Sequence, residues 1–236
     1  MSHRWSIRRL DRTLGEYAPS WDMLRKRQFK DNPMLDSRFV DALLAHFADG
    51  SERLCIYHIG GVPQSMCILR PRGIGIWVSF LPPQAQIGPS LLNRPDLVDA
   101  LIHALPGVTS AVDFLCNDPD FGDLSEQDNR HRESRDHSLT MNIHLQGGFD
   151  SYWAARPKKL IQNIGRYQRR IEADGIAMKI VRVMDAKDID AAIARYAQLE
   201  SSGWKGTKGT ALVVGDTQYQ FYLDLFRRFA KSAEAA

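Results

Sequence analysis

An apolar stripe at helical spacing, followed by a single strand-like segment, constrains this fold more than any other feature. Trp153, Leu160, Ile164, Tyr167 and Ile171 are spaced 7, 4, 3 and 4 residues apart, which lines one face of a helix running from Asp150 to Gly175. Residues 176–183 then read as a strand, and helical patterns resume at Asp185 and at Asp216 or Thr217. A lone strand cannot satisfy its backbone N–H and C=O groups. It must therefore join a sheet built upstream, or belong to a sheet whose other strands lie outside these 236 residues.

Upstream, a sheet is predicted. Residues 5–10 read as a short first strand. Tyr17, Trp21 and Leu24 give a helix over 14–28, and Asp36 or Ser37 caps a second helix with Phe39, Leu43, Leu44 and Phe47 on its apolar face. Residues 54–59 and 62–70 flank Gly60-Gly61, a hairpin signal. Further strands are expected at 74–80, 112–116 and 138–145, with a helix starting at Pro95 and a polar loop over 117–136. Gly147-Gly148 reads as a hinge. The fold class is thus α/β in an α+β layout, with an N-terminal unit at 1–146 and a second at 147–236.

Composition excludes several classes. A net charge of +3 is mild for a general nucleic-acid binder, so local clustering of charge matters more. Cys55, Cys67 and Cys116 are odd in number and widely spaced, which argues against a disulfide framework or a zinc site and for a reducing, cytoplasmic setting. Their apolar surroundings mark them as packing residues. His131 and His137 stand six apart in a charged run, a spacing that does not align them on one helical face, so no metal is expected. No uncharged apolar stretch approaches the ~20 residues of a membrane span.

Two segments carry candidate chemistry. Arg156, Lys158, Lys159, Arg166, Arg169 and Arg170 are six cations with no acid between them. They suit phosphate groups, and a solvated helix face opposite the apolar stripe would look the same. The loop ESSGWKGTKGTA sets Trp204 and Lys205 among Gly203, Gly206 and Gly209. Trp204 can wall an acceptor groove with Lys205 holding an anion, or it can plug a gap between helices. Glu200 and Asp224 are carboxylates able to act as general bases.

The segment Tyr152-Trp153, Lys158-Lys159, Asn163-Ile164, Arg166, Arg169-Arg170 and Gly175, followed by Glu200-Ser201-Ser202-Gly203-Trp204-Lys205-Gly206 and Gly209-Thr210-Ala211, resembles the opening of the second unit in FemAB-like and CelD-type members of the GNAT acyltransferase superfamily. That resemblance covers about 149–212; the first 146 residues are similar only in element order. It implies a tandem GNAT-like fold and transfer of an acyl group from acetyl-CoA or another acyl-CoA to an amine or hydroxyl, with saccharide or small-molecule acceptors and cell-surface polysaccharide synthesis as the setting. Fem-type relatives use aminoacyl-tRNA for peptidoglycan cross-bridges, which makes tRNA the alternative donor carrier. A non-catalytic module binding an anion or a partner is the other alternative. The resemblance places Lys158, Lys159, Arg166, Arg169, Arg170, Trp204 and Lys205 toward substrate or cofactor, with Glu200 as the candidate base. The string nearest to a pyrophosphate-binding motif, Arg72-Gly73-Ile74-Gly75-Ile76-Trp77, ends in a bulky Trp inside a strand pattern and departs from the family. The second unit is expected to be incomplete, since residue 236 falls just after the helix that should precede its central strands. The aromatic stripe Tyr219, Tyr222, Phe226 and Phe229 would then be exposed and favour a homodimer through the C-terminal helix.

Overall fold

A computed structural model describes residues 3–120, 131–139, 141, 143 and 146–233. The chain divides into two compact units, Met1–Arg135 with Val183–Ala236, and Asp136–Arg182. This division does not coincide with the cut expected at 146/147.

The larger unit is mixed α/β. Its sheet has six strands: β1 (His3–Arg9), β2 (Arg53–Ile59), β3 (Val62–Gly73), β4 (Ile76–Ser79), β5 (Ser90–Leu91) and β6 (Ala111–Asp113). The order is β1-β2-β3-β4-β6, with β5 pairing β3. Pairing is antiparallel except between β4 and β6, which run parallel. Gly60 and Gly61 both take positive φ, so the β2–β3 hairpin turns where the sequence indicates. The Arg72-Gly73-Ile74-Gly75-Ile76-Trp77 string forms the tight turn between β3 and β4. Gly75 is required there: at its φ of +73° an added Cβ would lie 2.9 Å from the Val108 carbonyl oxygen.

Strand alternation separates two cores. Leu54, Ile56, Met66 and Ile68 face one side, where they meet α1 (Ala18–Gln28), α2 (Ser37–Phe47) and α8 (Thr217–Ala233). Cys55, Cys67, Leu69 and Trp77 face the other, against Leu101 and Leu105 at α3 (Val98–Ala104). The Cys67 thiol is pushed well up by its hydrogen bond with Cys55 and by burial, which suits a packing residue and not a nucleophile. Asp36 caps α2, its carboxylate accepting from the Arg38 amide at 3.0 Å.

The C-terminal helices pack within the larger unit. Ile189 and Ala197 of α6 (Ala186–Ser202) cluster with Tyr219, Leu223 and Ala230 of α8. On another side of α8, Phe221 is fully buried against Phe39, His46 and Phe47 of α2. The aromatic stripe therefore needs no missing strands to cover it. Tyr219 is buried, Tyr222 and Phe229 are partly buried, and Arg38 lies 4.2 Å from the Phe229 ring centroid; Phe226 is exposed. The premise for a dimer through this stripe is corrected accordingly.

The smaller unit contains α4 (Phe149–Ala154) and α5 (Lys158–Ala173). The single helix expected from Asp150 is broken in two. Pro157 disfavours helical backbone at Arg156 and supplies no amide to continue the ladder. Trp153 consequently stacks on Phe149 within α4, their ring centroids 5.7 Å apart, and leaves the α5 stripe. The strand expected at 176–183 is absent: no described strand pairs with this segment, and Ile176, Met178, Ile180 and Val181 are exposed. Of the strand expected at 138–145, Thr140, Asn142, His144 and Leu145 lie outside the described residues, and Ser138, Leu139, Met141 and Ile143 have no strand pairing.

Candidate functional site

The basic helix is α5. Lys158, Lys159, Arg166, Arg169 and Arg170 fall within an arc of about 120° at 100° per residue. Leu160, Ile161, Ile164, Tyr167 and Ile171 occupy the opposite side, and none of them is buried. Among the described residues, Lys158, Lys159, Arg166 and Arg169 form no ion pair. Arg170 reaches Asp174 only at 4.0 Å, with both side chains mostly exposed, a contact worth little in water. Arg166 lies 5.3 Å from the centroid of the Tyr167 ring. Arg156, just before the helix, sits 4.3 Å over Tyr152.

The start of α5 is electrostatically unusual. Its N-cap is Pro157, which provides no side-chain hydrogen bond, and the first turn has no acid. Lys158 and Lys159 thus stand at the positive end of the helix dipole, where cations are disfavoured and anions are stabilised. A bound anion would offset that cost.

The loop after α6 lies in the larger unit and has a different construction. Glu200 is its anchor. Its carboxylate accepts from Lys205 Nζ, from Tyr196 Oη at 2.6 Å and from the Leu212 amide at 3.0 Å. The hydrogen bond from Lys205, then those from Tyr196 and Leu212, draw its pKa from 4.5 to about 2. A carboxylate so tightly held is a weak proton acceptor at neutral pH. Asp224 is likewise occupied. Burial pushes its pKa up, but Arg228 at 2.9 Å and His46 at 3.3 Å outweigh that and leave it lowered. Lys205 is committed to Glu200, so it is not a free anion holder.

Trp204 opens the short helix α7 (Trp204–Thr207) and is 66% exposed, so it does not plug a gap between helices. Lys208 Nζ lies 5.3 Å from its ring centroid. Gly206 is obligatory here, because an added Cβ would fall 2.0 Å from the Ser201 carbonyl oxygen. Tyr196 and Lys208 escape the reading of the sequence, although each stands four residues from its partner, Glu200 and Trp204, a spacing that signals contact on a helix.

No protein-family model, curated protein or solved structure matches this chain. Among the described residues, no helix is long and apolar enough to cross a membrane, and no group of three or more His, Cys, Asp or Glu is arranged to hold a metal ion.

The Glu200 anchor makes a pH prediction. A lowered folded-state pKa contributes stability above the unfolded value and loses it on acidification. The Tm advantage of the wild type over Glu200→Gln should therefore be full above pH 4.5 and shrink as pH falls toward about 2. Thermal melts of both proteins across that window check it. A Tm difference independent of pH would show that the carboxylate charge does not hold the loop.

Proposed function

We propose that this chain is an acyltransferase of the GNAT type that binds the phosphates of an acyl-CoA on the basic face of α5. The carrying observation is that face: five cations within one arc, four of them without an ion pair among the described residues. The donor set fits the group, because phosphate oxygens accept well from Lys and Arg, and the uncapped first turn adds amide donors. Lys158, Lys159, Arg166, Arg169 and Arg170 would hold the phosphates. Bound acyl-CoA supplies an activated thioester to an amine or hydroxyl acceptor, with a saccharide of cell-surface polysaccharide synthesis as the acceptor class. The order strand, two helices, four strands, helix and strand in the larger unit, the last of those four strands only two residues long, also supports a GNAT-like reading.

Calorimetric titration with acetyl-CoA tests the proposal. The wild type should bind with a Kd of micromolar order, and Arg166→Ala/Arg170→Ala should weaken binding by at least about tenfold. Absence of binding to the folded protein would overturn it. A parallel titration with tRNA at rising salt separates the aminoacyl-tRNA alternative, for which affinity should fall steeply with salt.

A second reading, an anion-binding module without catalysis, is favoured by one observation. Glu200 and Asp224 are both engaged by cations, which leaves neither carboxylate poised as a base. Binding of CoA without acyl transfer to any amine or saccharide acceptor would select it.

A further inference from the structure

Strand β1 is an edge of the sheet, and its residues alternate between faces. Trp5 and Ile7 pack into the core on the α3 side. Arg4, Ser6 and Arg8 therefore share the opposite face. Register sets His58 of β2 directly across from Arg4, and the β2–β3 turn brings Gly61 alongside. These five residues line a cavity of about 220 Å³, far larger than the roughly 10–15 Å³ that one water requires. By comparison, the cavity beside Phe29, Ser90 and Cys116 measures only about 10 Å³.

The chemistry of this cavity is one-sided. Neither Arg4 nor Arg8 has an ion pair among the described residues. The Ser6 hydroxyl and His58 Nδ1 are buried and have no hydrogen-bond partner. Buried polar atoms are nearly always partnered, so two orphans beside two uncompensated cations require an account. The charged groups acting on the His58 ring are Arg4 and Arg8, with no carboxylate among them. Burial first, then these two cations, hold its pKa below the usual value. A hydrogen bond from the ring to the Ile56 backbone opposes that shift, and a neutral imidazole has a single N–H to give.

The geometry points to a binding site for a phosphate group on this sheet edge, with Arg4 and Arg8 pairing its charge, Ser6 donating a hydrogen bond and the His58 ring lining the site. Two guanidinium forks and a hydroxyl provide more donors than the two oxygens of a carboxylate can use. A phosphate, with three or four oxygens, matches that number. The group can arrive as free inorganic phosphate or as a phosphate monoester on a small metabolite.

The test follows the His58 imidazole resonances by NMR during titration with inorganic phosphate and, separately, glucose 6-phosphate, at ionic strength held constant with potassium chloride. Saturable shifts with a Kd of about 1 mM or tighter are expected for at least one of the two. Tighter binding of the ester identifies a phosphometabolite site, and equal binding identifies a site for phosphate itself. Arg4→Gln and Arg8→Gln should each weaken binding by at least about tenfold, and Arg8→Lys by less, because lysine keeps the charge but not the fork. Both arginines are exposed, so these variants should melt at the wild-type temperature. Arg166→Ala/Arg170→Ala, altered on α5, should give the same His58 titration as the wild type. Absence of saturation by about 20 mM of either probe, or wild-type affinity in the Arg4→Gln/Arg8→Gln double variant, would overturn the assignment.

Discussion

Arg25→Ala should cost roughly 3–5 kcal/mol of stability. Arg25 is 5% exposed. Its guanidinium meets Asp22 at 3.2 Å, Asp31 at 2.5 Å and Asp36 at 3.2 Å, and donates to the Asp31 carbonyl at 3.2 Å. Asp36 is itself buried and caps α2, while Asp22 accepts from the Ser37 amide and hydroxyl. Removing the cation would leave the buried Asp36 and the partly buried Asp22 with fewer counter-charges, which is the costly way to break a buried network, while Asp31, 63% exposed, stays solvated. In a domain of this size each kcal/mol lowers Tm by roughly 2–4 °C, so a fall of roughly 6–20 °C is expected. Arg25→Lys should recover only part of it, since an ammonium cannot serve three carboxylates in the plane of a guanidinium. Thermal and denaturant unfolding of the three proteins checks the ranking. A loss below about 1 kcal/mol in Arg25→Ala would mean that this network does not hold α1 to α2.

Phe221→Ala is expected to be comparably severe, at roughly 3–5 kcal/mol. Phe221 is fully buried, and its ring lies 5.3 Å from Phe47 and 6.1 Å from Phe39, centroid to centroid. Truncation would open a cavity between α8 and α2 where rigid neighbours cannot collapse. Phe226 lies on the same helix but is 44% exposed, so Phe226→Ala should cost about 1 kcal/mol or less. The contrast isolates packing from helix propensity, because both changes place alanine in α8. Equal effects would contradict the assignment of α8 to this core.

The elements that could be read from the sequence are those whose signals are local. The β2–β3 hairpin follows from Gly60-Gly61, and α2 from the Asp36 cap with Phe39, Leu43 and Leu44 on one face. Two-residue β5 is too short to leave a periodic signal. The break at Pro157 carries its own local cause, yet the regular spacing from Trp153 to Ile171 masks it. The alternation at 176–183 suits a strand but supplies no partner, and a strand without a ladder does not form. The buried sides of α8 depend on what covers the helix. Tyr219, Tyr222, Phe226 and Phe229 make a plausible stripe, but Phe221 and Leu225 face α2 and Leu223 faces α6. At the candidate site, the cationic arc of α5 is visible in the residue spacing. The tie between Glu200 and Lys205 spans five residues and a chain reversal, which no helical periodicity indicates. The orphaned Ser6 and His58 come together only through strand register.

Hydrogen–deuterium exchange of the wild-type chain with and without saturating acetyl-CoA tests the central proposal most directly. Protection concentrated in residues 158–170, and lost in Arg166→Ala/Arg170→Ala, is the predicted result. Protection elsewhere with α5 unchanged would contradict the assignment of this helix as the phosphate-binding face.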